Sequence, residues 1–306
     1  ITTTLITCSF DMLNNDDTRL LKQKGLTEED IYRQINIFKQ GFPYQQLHAP
    51  ALINDGIIQL TDGKKENYHS LVSENLNNKS FGKFVPASGA ATRMFKKLYE
   101  YREKSLHEEQ IQQFFQNIES YAFYPELQNC VAGNNEKLHQ LIKEGSFNRL
   151  ISYLLDPEGL NYGRLPKGLI PFHRYQDEIM TPVAEHLVEA AYCCRNQDHT
   201  SFVHFTIAPE YENRFKQHVE SLTPLLEDKL NTRFHLSFSF QDENTDTLAV
   251  DLNNNPFRTR DGKLLFRPGG HGSLLQNLNR MEQDMIFIKN IDNVSSDPKR
   301  KESIRY

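Results

Sequence analysis

The sequence predicts an α/β fold, a mostly parallel or mixed sheet flanked by helices, and three observations carry that prediction. Strand-like and helix-like stretches alternate from Leu165 onward, as they do where crossover helices join parallel strands. Two of these strands, Phe202 to Ile207 and Phe234 to Phe240, flank a long helical stretch from Glu210 to Leu230. Upstream, Lys83-Phe84-Val85-Pro86 runs into a loop of tiny residues, Ala87-Ser88-Gly89-Ala90-Ala91, and then a helix opening at Thr92-Arg93-Met94. In such a strand, loop and helix order the ligand sits at the carboxyl end of the strand.

Each element has its own local reason. Thr27-Glu28-Glu29-Asp30 is an acidic variant of a capping box, and Ile31, Ile35 and Phe38 follow at helical spacing until Gly41, which predicts an N-terminal helix. Leu52-Ile53 and Ile57 to Leu60 flank Asn54-Asp55-Gly56, a hairpin signal, and Glu66 to Leu76 reads as a polar helix. After the small-residue loop, Met94, Leu98 and Tyr99 mark one helix, and Glu108 to Tyr121 carries Ile111, Phe114, Phe115 and Ile118 on one face. Glu136 to Glu144 and Ser146 to Leu155 also read as helices, so a helical insertion is expected over about 95–160. Beyond the two strands named above, Thr247 to Val250 and Lys263 to Phe266 form short strands around a polar turn, and Ser273 to Met281 forms a helix. Asp284 to Asn290 reads as a buried strand that ends at Asp292-Asn293. The organisation expected is an extension over 1–80, helical and hairpin in character, and an α/β domain over 81–306.

Composition narrows the class of function. The chain has 306 residues, enough for a sizeable core, and a formal net charge of -5. That balance argues against a general nucleic-acid binder and makes any polyanion site local. Four cysteines, two of them the adjacent Cys193 and Cys194 and the others the isolated Cys8 and Cys130, fit neither a disulfide framework nor a zinc spacing and point to a cytoplasmic setting. No apolar run approaches the roughly 20 residues of a membrane helix, and the opening Ile1 to Cys8 lacks the basic flank of a signal peptide. The chain starts without methionine and stops at Arg305-Tyr306, so a further C-terminal portion is expected.

Four stations carry chemistry. In the first, the tiny residues of the Ala87 to Ala91 loop let backbone approach a ligand, while free N–H groups and the Arg93 guanidinium suit a phosphate; the same stretch also fits an ordinary tight turn with a surface arginine. The second is Pro166-Lys167-Gly168, where a stiff turn presents Lys167 as a point charge, with His173 and Arg174 close behind in sequence. Third comes Pro268-Gly269-Gly270-His271-Gly272, three glycines around a histidine able to hydrogen-bond a base or sugar. Last, the apolar strand ending in Asp292 is the way α/β enzymes present a carboxylate to a divalent metal and its phosphates.

In this order the stations resemble the eukaryotic-type UDP-sugar pyrophosphorylases, which have a GT-A-like nucleotide-diphospho-sugar transferase fold. Pro86 to Met94 stands where that family has its L-A-G-G-x-G-T-R-L loop, and Pro166-Lys167-Gly168 matches its P-K-G segment. Thr181 to Leu187 matches the helix that follows, Phe205 to Glu210 the strand ending M-T-S-E, and Phe238 to Gln241 the F-F-x-Q strand. Pro268 to Leu275 matches P-x-G-N-G-G-L-Y, and Ile291-Asp292-Asn293 matches V-D-N. Two family glycines are replaced by Ser88 and Ala91, and the family asparagine by His271. The whole chain also resembles an uncharacterised bacterial family known as a domain of unknown function, which shares the Pro-Ala-Ser-Gly-Ala-Ala-Thr-Arg and Pro-Gly-Gly-His-Gly signatures.

The resemblance implies transfer of a nucleotide from a nucleoside triphosphate, UTP above others, to a sugar 1-phosphate with release of pyrophosphate. It implies that Arg93 and Lys167 are the catalytic cations and that Ala87, Ser88, Gly89, Ala90 and Thr92 hold the triphosphate. It further assigns Gln241, Gly270, His271 and Gly272 to the base or sugar, and Asp292 to Mg2+. The alternative is a non-catalytic nucleotide or nucleotide-sugar binding module of the same fold.

Overall fold

The computed structural model describes residues 13–75, 78–89, 91–176 and 178–296. Ala90, Cys8 and the rest of the opening apolar stretch lie outside the described residues. The chain begins with helices α1 (Asn15–Lys24) and α2 (Glu28–Gln40), strands β1 (Leu52–Ile53) and β2 (Gly56–Ile57), and helix α3 (Asp62–Asn75). Strand β3 (Phe81–Pro86) precedes five helices, α4 (Lys96–Lys104), α5 (Glu108–Gln116), α6 (Tyr124–Gly133), α7 (Leu138–Lys143) and α8 (Phe147–Leu155). Then come β4 (His173–Tyr175), β5 (Glu178–Met180), α9 (Pro182–Cys193), β6 (Thr200–Thr206), α10 (Glu212–Leu230) and β7 (Arg233–Ser239). The last elements are β8 (Thr247–Leu248), β9 (Phe266–Arg267), α11 (Leu275–Leu278) and β10 (Met285–Ile288). Among the described residues no helix is long and apolar enough to cross a membrane.

The chain divides into two compact units, the first made of residues through Leu71 together with Gln241–Arg280, the second of Val72–Phe240 with Met281 onward. In the first unit, α2 has the expected reciprocal cap: Thr27 accepts from the Asp30 N–H while Asp30 accepts from the Thr27 N–H. Helix α1 has the same device in Asn14 and Asp17 and ends at Gly25 in the left-handed region, φ 69, a signal the sequence analysis did not use. Leu21, Leu26, Ile31, Ile35, Leu248 and Leu264 form its core. Asp17, 2% exposed, is held by both Arg258 terminal nitrogens at 2.8 and 2.7 Å. The expected hairpin is corrected: β1 and β2 are two-residue strands paired parallel, Leu52 with Gly56 and Ile53 with Ile57, with Leu52 and Ile53 exposed; turn chemistry without a buried face does not extend an antiparallel ladder.

The second unit is built on a four-stranded, all-parallel sheet of order β10-β3-β6-β7. Its core joins Val85, Val203, Phe205 and Ile207 to Val183, Ala184 and Leu187 of α9 and to Phe215 and Val219 of α10. Helix α9 forms where Thr181 caps the Ala184 N–H and Pro182 supplies the first turn, each the preferred residue for its place. The region over 95–160 is helical as expected, with α6 an additional helix, and packs a separate core around Phe115, Leu127, Leu150, Ile151 and Leu154. Strand β10 corrects one expectation: it is an edge strand, with Met285 46% and Ile288 58% exposed, and is not buried. An apolar run signals a strand but not its rank in the sheet.

Candidate functional site

The strand order places the site. From β3 the chain adds strands on one side, β6 and then β7, whereas β10 is added on the other side of β3. The carboxyl ends of β3 and β10 therefore flank the topological switch point, the crevice where open α/β sheets bind ligands. The loop after β3 begins at Ala87 and the loop after β10 reaches Asp292. Backbone pairing continues past the strands, with Lys289 N–H donating to the Phe84 carbonyl at 3.1 Å and Ile291 N–H to that of Pro86 at 3.0 Å.

Around this crevice the loops are tied by their backbones. Ala87 N–H donates to the Thr206 carbonyl at 2.8 Å, Lys167 N–H to that of Gly89 at 3.2 Å, and Ala91 N–H to that of Leu165 at 3.3 Å. These bonds hold the segment around Lys167 against the small-residue loop. Its side chain crosses to the loop after β10, where Nζ lies 2.5 Å from Asp292 Oδ2. Gly168 permits the approach, since a side chain there would meet Phe215 and Ile291 at 3.0–3.2 Å. At Gly89 a Cβ would meet nothing within 4 Å among the described residues, and φ is not positive. The open space there lies beside backbone, which is what a closely approaching ligand requires.

Arg93 is exposed and makes no ion pair among the described residues. The expected helix start at Arg93 is corrected: Ala91–Arg93 is one 3-10 turn, and the α-helix begins at Lys96. The Ala91 N–H is already taken by Leu165, and buried Ala91 and Phe95 belong to the helical core. The Ala91 N–H is thus not open to a ligand.

Helix α9 organises the crevice from below, and the sequence analysis missed its role. The N-cap Thr181, Glu185 and Glu189 repeat at four-residue spacing, with His186 beside them, in a helix that also carries the apolar Val183, Ala184, Leu187, Val188, Ala190 and Ala191. The readable signal was charge on a helix too apolar to be a surface helix. His186, fully buried, places Nε2 3.1 Å from the Asn290 carbonyl and 3.3 Å from that of Ile291. Carbonyls only accept, so Nε2 carries the proton and Nδ1, which has no partner among the described residues, does not. Burial, and then the Lys83 and Lys289 charges, push the His186 pKa well below its ordinary value. A neutral imidazole therefore clamps the backbone that presents Asp292.

Lys83, 1% exposed in the middle of β3, lies 3.2 Å from Glu189 Oε1 and donates to the His186 carbonyl at 3.2 Å. Glu189 also binds Lys289 at 2.7 Å. Burial pulls the Lys83 pKa down; it works to raise that of Glu189, but the two lysines hold the carboxyl below its usual range. Glu185, 2% exposed, faces His173 Nδ1 at 2.8 Å and accepts from the Tyr175 hydroxyl at 2.7 Å. A carboxylate so placed fixes the tautomer and orientation of a histidine.

The third station and Gln241 belong to the first unit. Gln241 donates to Thr245 Oγ1 at 3.2 Å, and a side chain at Gly269 would meet the Thr245 carbonyl at 2.8 Å. Gly269 is thus explained by packing. At Gly270 and Gly272 a Cβ would meet nothing within 4 Å, and both flank the exposed His271. Among the described residues no group of three or more His, Cys, Asp or Glu side chains is arranged to hold a metal ion.

No curated protein and no solved structure matches the chain. A family model described as Domain of unknown function (DUF4301) matches residues 14–306. With nearly the whole chain matched, the protein belongs to that family.

Proposed function

We propose that this protein is a nucleotidyltransferase of the sugar-1-phosphate pyrophosphorylase type, with a GT-A-like fold. One observation carries the reading: the loop after β3, Lys167 and Asp292, far apart in sequence, meet at the switch point of a parallel sheet. The motif order that resembles the UDP-sugar enzymes supports it and makes UTP the first nucleotide to test. In this reaction a phosphate oxygen of the sugar 1-phosphate attacks the α-phosphorus. The bond from that phosphorus to the bridging oxygen breaks, and pyrophosphate leaves with the electron pair.

Such chemistry asks the protein for alignment and charge neutralisation more than for covalent participation. The Ser88 and Gly89 backbone with Thr92 receives the triphosphate, and Arg93 and Lys167 neutralise charge that grows at the leaving oxygens. In the resting protein Lys167 is paired with Asp292, so a bound phosphate competes with the carboxylate for the lysine. A carboxylate beside a phosphate loop fits Mg2+, which is bound by one or two carboxylates plus phosphate oxygens. Asp292 would hold that ion, whose contribution is to withdraw charge from the phosphates. Gly270, His271 and Gly272 are assigned to the base or sugar on the resemblance alone.

The test is pyrophosphate release from each nucleoside triphosphate with a panel of sugar 1-phosphates and Mg2+. Turnover is expected with at least one pair, and Arg93→Ala or Lys167→Ala lowers kcat by about 10²–10³ with the fold retained. Nucleotide binding without turnover for any pair reduces the protein to a binding module; unaltered turnover in Lys167→Ala contradicts the assigned site.

A further inference from the structure

The helical region of the second unit carries an open cleft of about 560 Å³ that the nucleotide reading does not use. Phe95, Leu98, Ile111, Phe114, Phe123 and Phe172 are among the residues of its wall. The cleft has the volume and the aromatic lining of a small-molecule site. The rings are held at fixed angles: Phe114 meets Tyr121 at 4.9 Å and 61°, and Phe115 at 5.0 Å and 74°. Such edge-to-face contacts fix the shape of the wall.

Polarity is confined to the mouth. Lys97, Gln110 and Ser120 line the cavity and are exposed, whereas Leu98, Ile111 and Phe123 behind them are buried. Lys97 is the charged residue of the wall and makes no ion pair among the described residues, unlike its neighbour Lys96, which reaches Glu100 at 3.5 Å. Met94, also at the mouth, directly follows Arg93 in the chain. An apolar interior beneath an uncompensated cation is complementary to a molecule with an apolar body and one anionic group.

We infer that this cavity binds a small anionic amphiphile, its aromatic ring or short acyl chain inside and its anionic group at Lys97. The inference is independent of nucleotide binding, because neither Lys167 nor Asp292 lines the cavity.

The test uses two fluorescent probes that share a ring system, the anionic 1-anilinonaphthalene-8-sulfonate and the uncharged N-phenyl-1-naphthylamine, titrated against the intact protein. Both are expected to bind saturably at one site and to be displaced by decanoate. Lys97→Glu weakens the anionic probe about tenfold and leaves the uncharged one unchanged. Ala122→Met, which fills the buried wall, weakens both about tenfold, and Met94→Trp at the exposed mouth does the same should Ala122→Met fail to fold. Non-saturable binding, binding indifferent to decanoate, or equal response of both probes to Lys97→Glu overturns the inference. A protein that binds these probes but no nucleotide leaves the inference standing and removes the nucleotidyltransferase reading.

Discussion

The second unit contains two interiors of opposite character. Beside the sheet, buried Lys83 and His186 lie with Glu189 and Lys289 in one charged cluster, while buried Glu185 pairs separately with His173 and Tyr175. In the helical region from 91 to 172 the described buried side chains are apolar, apart from the Tyr162 hydroxyl, which donates to Glu126 at 2.5 Å. Paired buried charges fix one arrangement of the segments they join, since each is costly to leave unpaired. Apolar packing is tolerant of shape and can leave a cavity. The first interior therefore holds paired charge, and the second leaves open volume.

The largest effect expected from breaking this contrast is at Glu189. Glu189→Ala strands Lys83 in the interior without its carboxylate and lowers stability by about 3–5 kcal/mol. Replacing both partners, Lys83→Met with Glu189→Leu, costs less than that single change, because no buried charge is left unpaired; urea unfolding of the three proteins decides. Leu154→Ala, fully buried in the helical core, is expected to cost about 2–5 kcal/mol through the cavity it leaves, with no change in pH dependence.

Acid sharpens the comparison. The folded His186 pKa is depressed, so below about pH 6.5 the unfolded chain takes up a proton that the native state refuses, and stability is lost as pH falls. His186→Gln keeps a donor for the Asn290 and Ile291 carbonyls and removes this term. The stability difference between variant and wild type is expected to be flat above pH 7 and to shift toward the variant by up to about 1.4 kcal/mol per unit below pH 6.5. A difference that does not change with pH shows that His186 is not held neutral. The smallest effect is Asp156→Asn, which removes the partly exposed Arg102 pair at 2.8–2.9 Å and costs about 1 kcal/mol or less.

How much was legible in the sequence follows from the range of the interactions. Short-range signals served well: the Thr27 and Asp30 cap, the strands around Phe205 and Phe238, and the helical periodicity over 95–160 all appear in the structure. Lys167 and Asp292 were also legible as candidates, each from a turn or a strand end. Their ion pair was not, because it depends on strand rank, and an apolar run such as Met285–Ile288 carries no information on whether it lies at an edge. The Arg93 turn failed for a similar reason, since the Leu165 carbonyl that diverts the Ala91 N–H is 74 residues away in sequence. The α9 stripe was legible in principle, for Glu185 and Glu189 stand among alanines and valines, but their partners at His173, Lys83 and Lys289 come from three other segments.

The central claim is that the loop after β3, Lys167 and Asp292 form one phosphate site. The most direct measurement is the unfolding temperature of wild type and Lys167→Ala with UTP and the other nucleoside triphosphates at millimolar concentration, with Mg2+. Wild type is expected to be stabilised by at least one of them, by about 2.7 kcal/mol at a hundred times Kd, and Lys167→Ala to lose that gain while melting normally without ligand. No stabilisation by any nucleotide, or equal stabilisation of the two proteins, would contradict the claim.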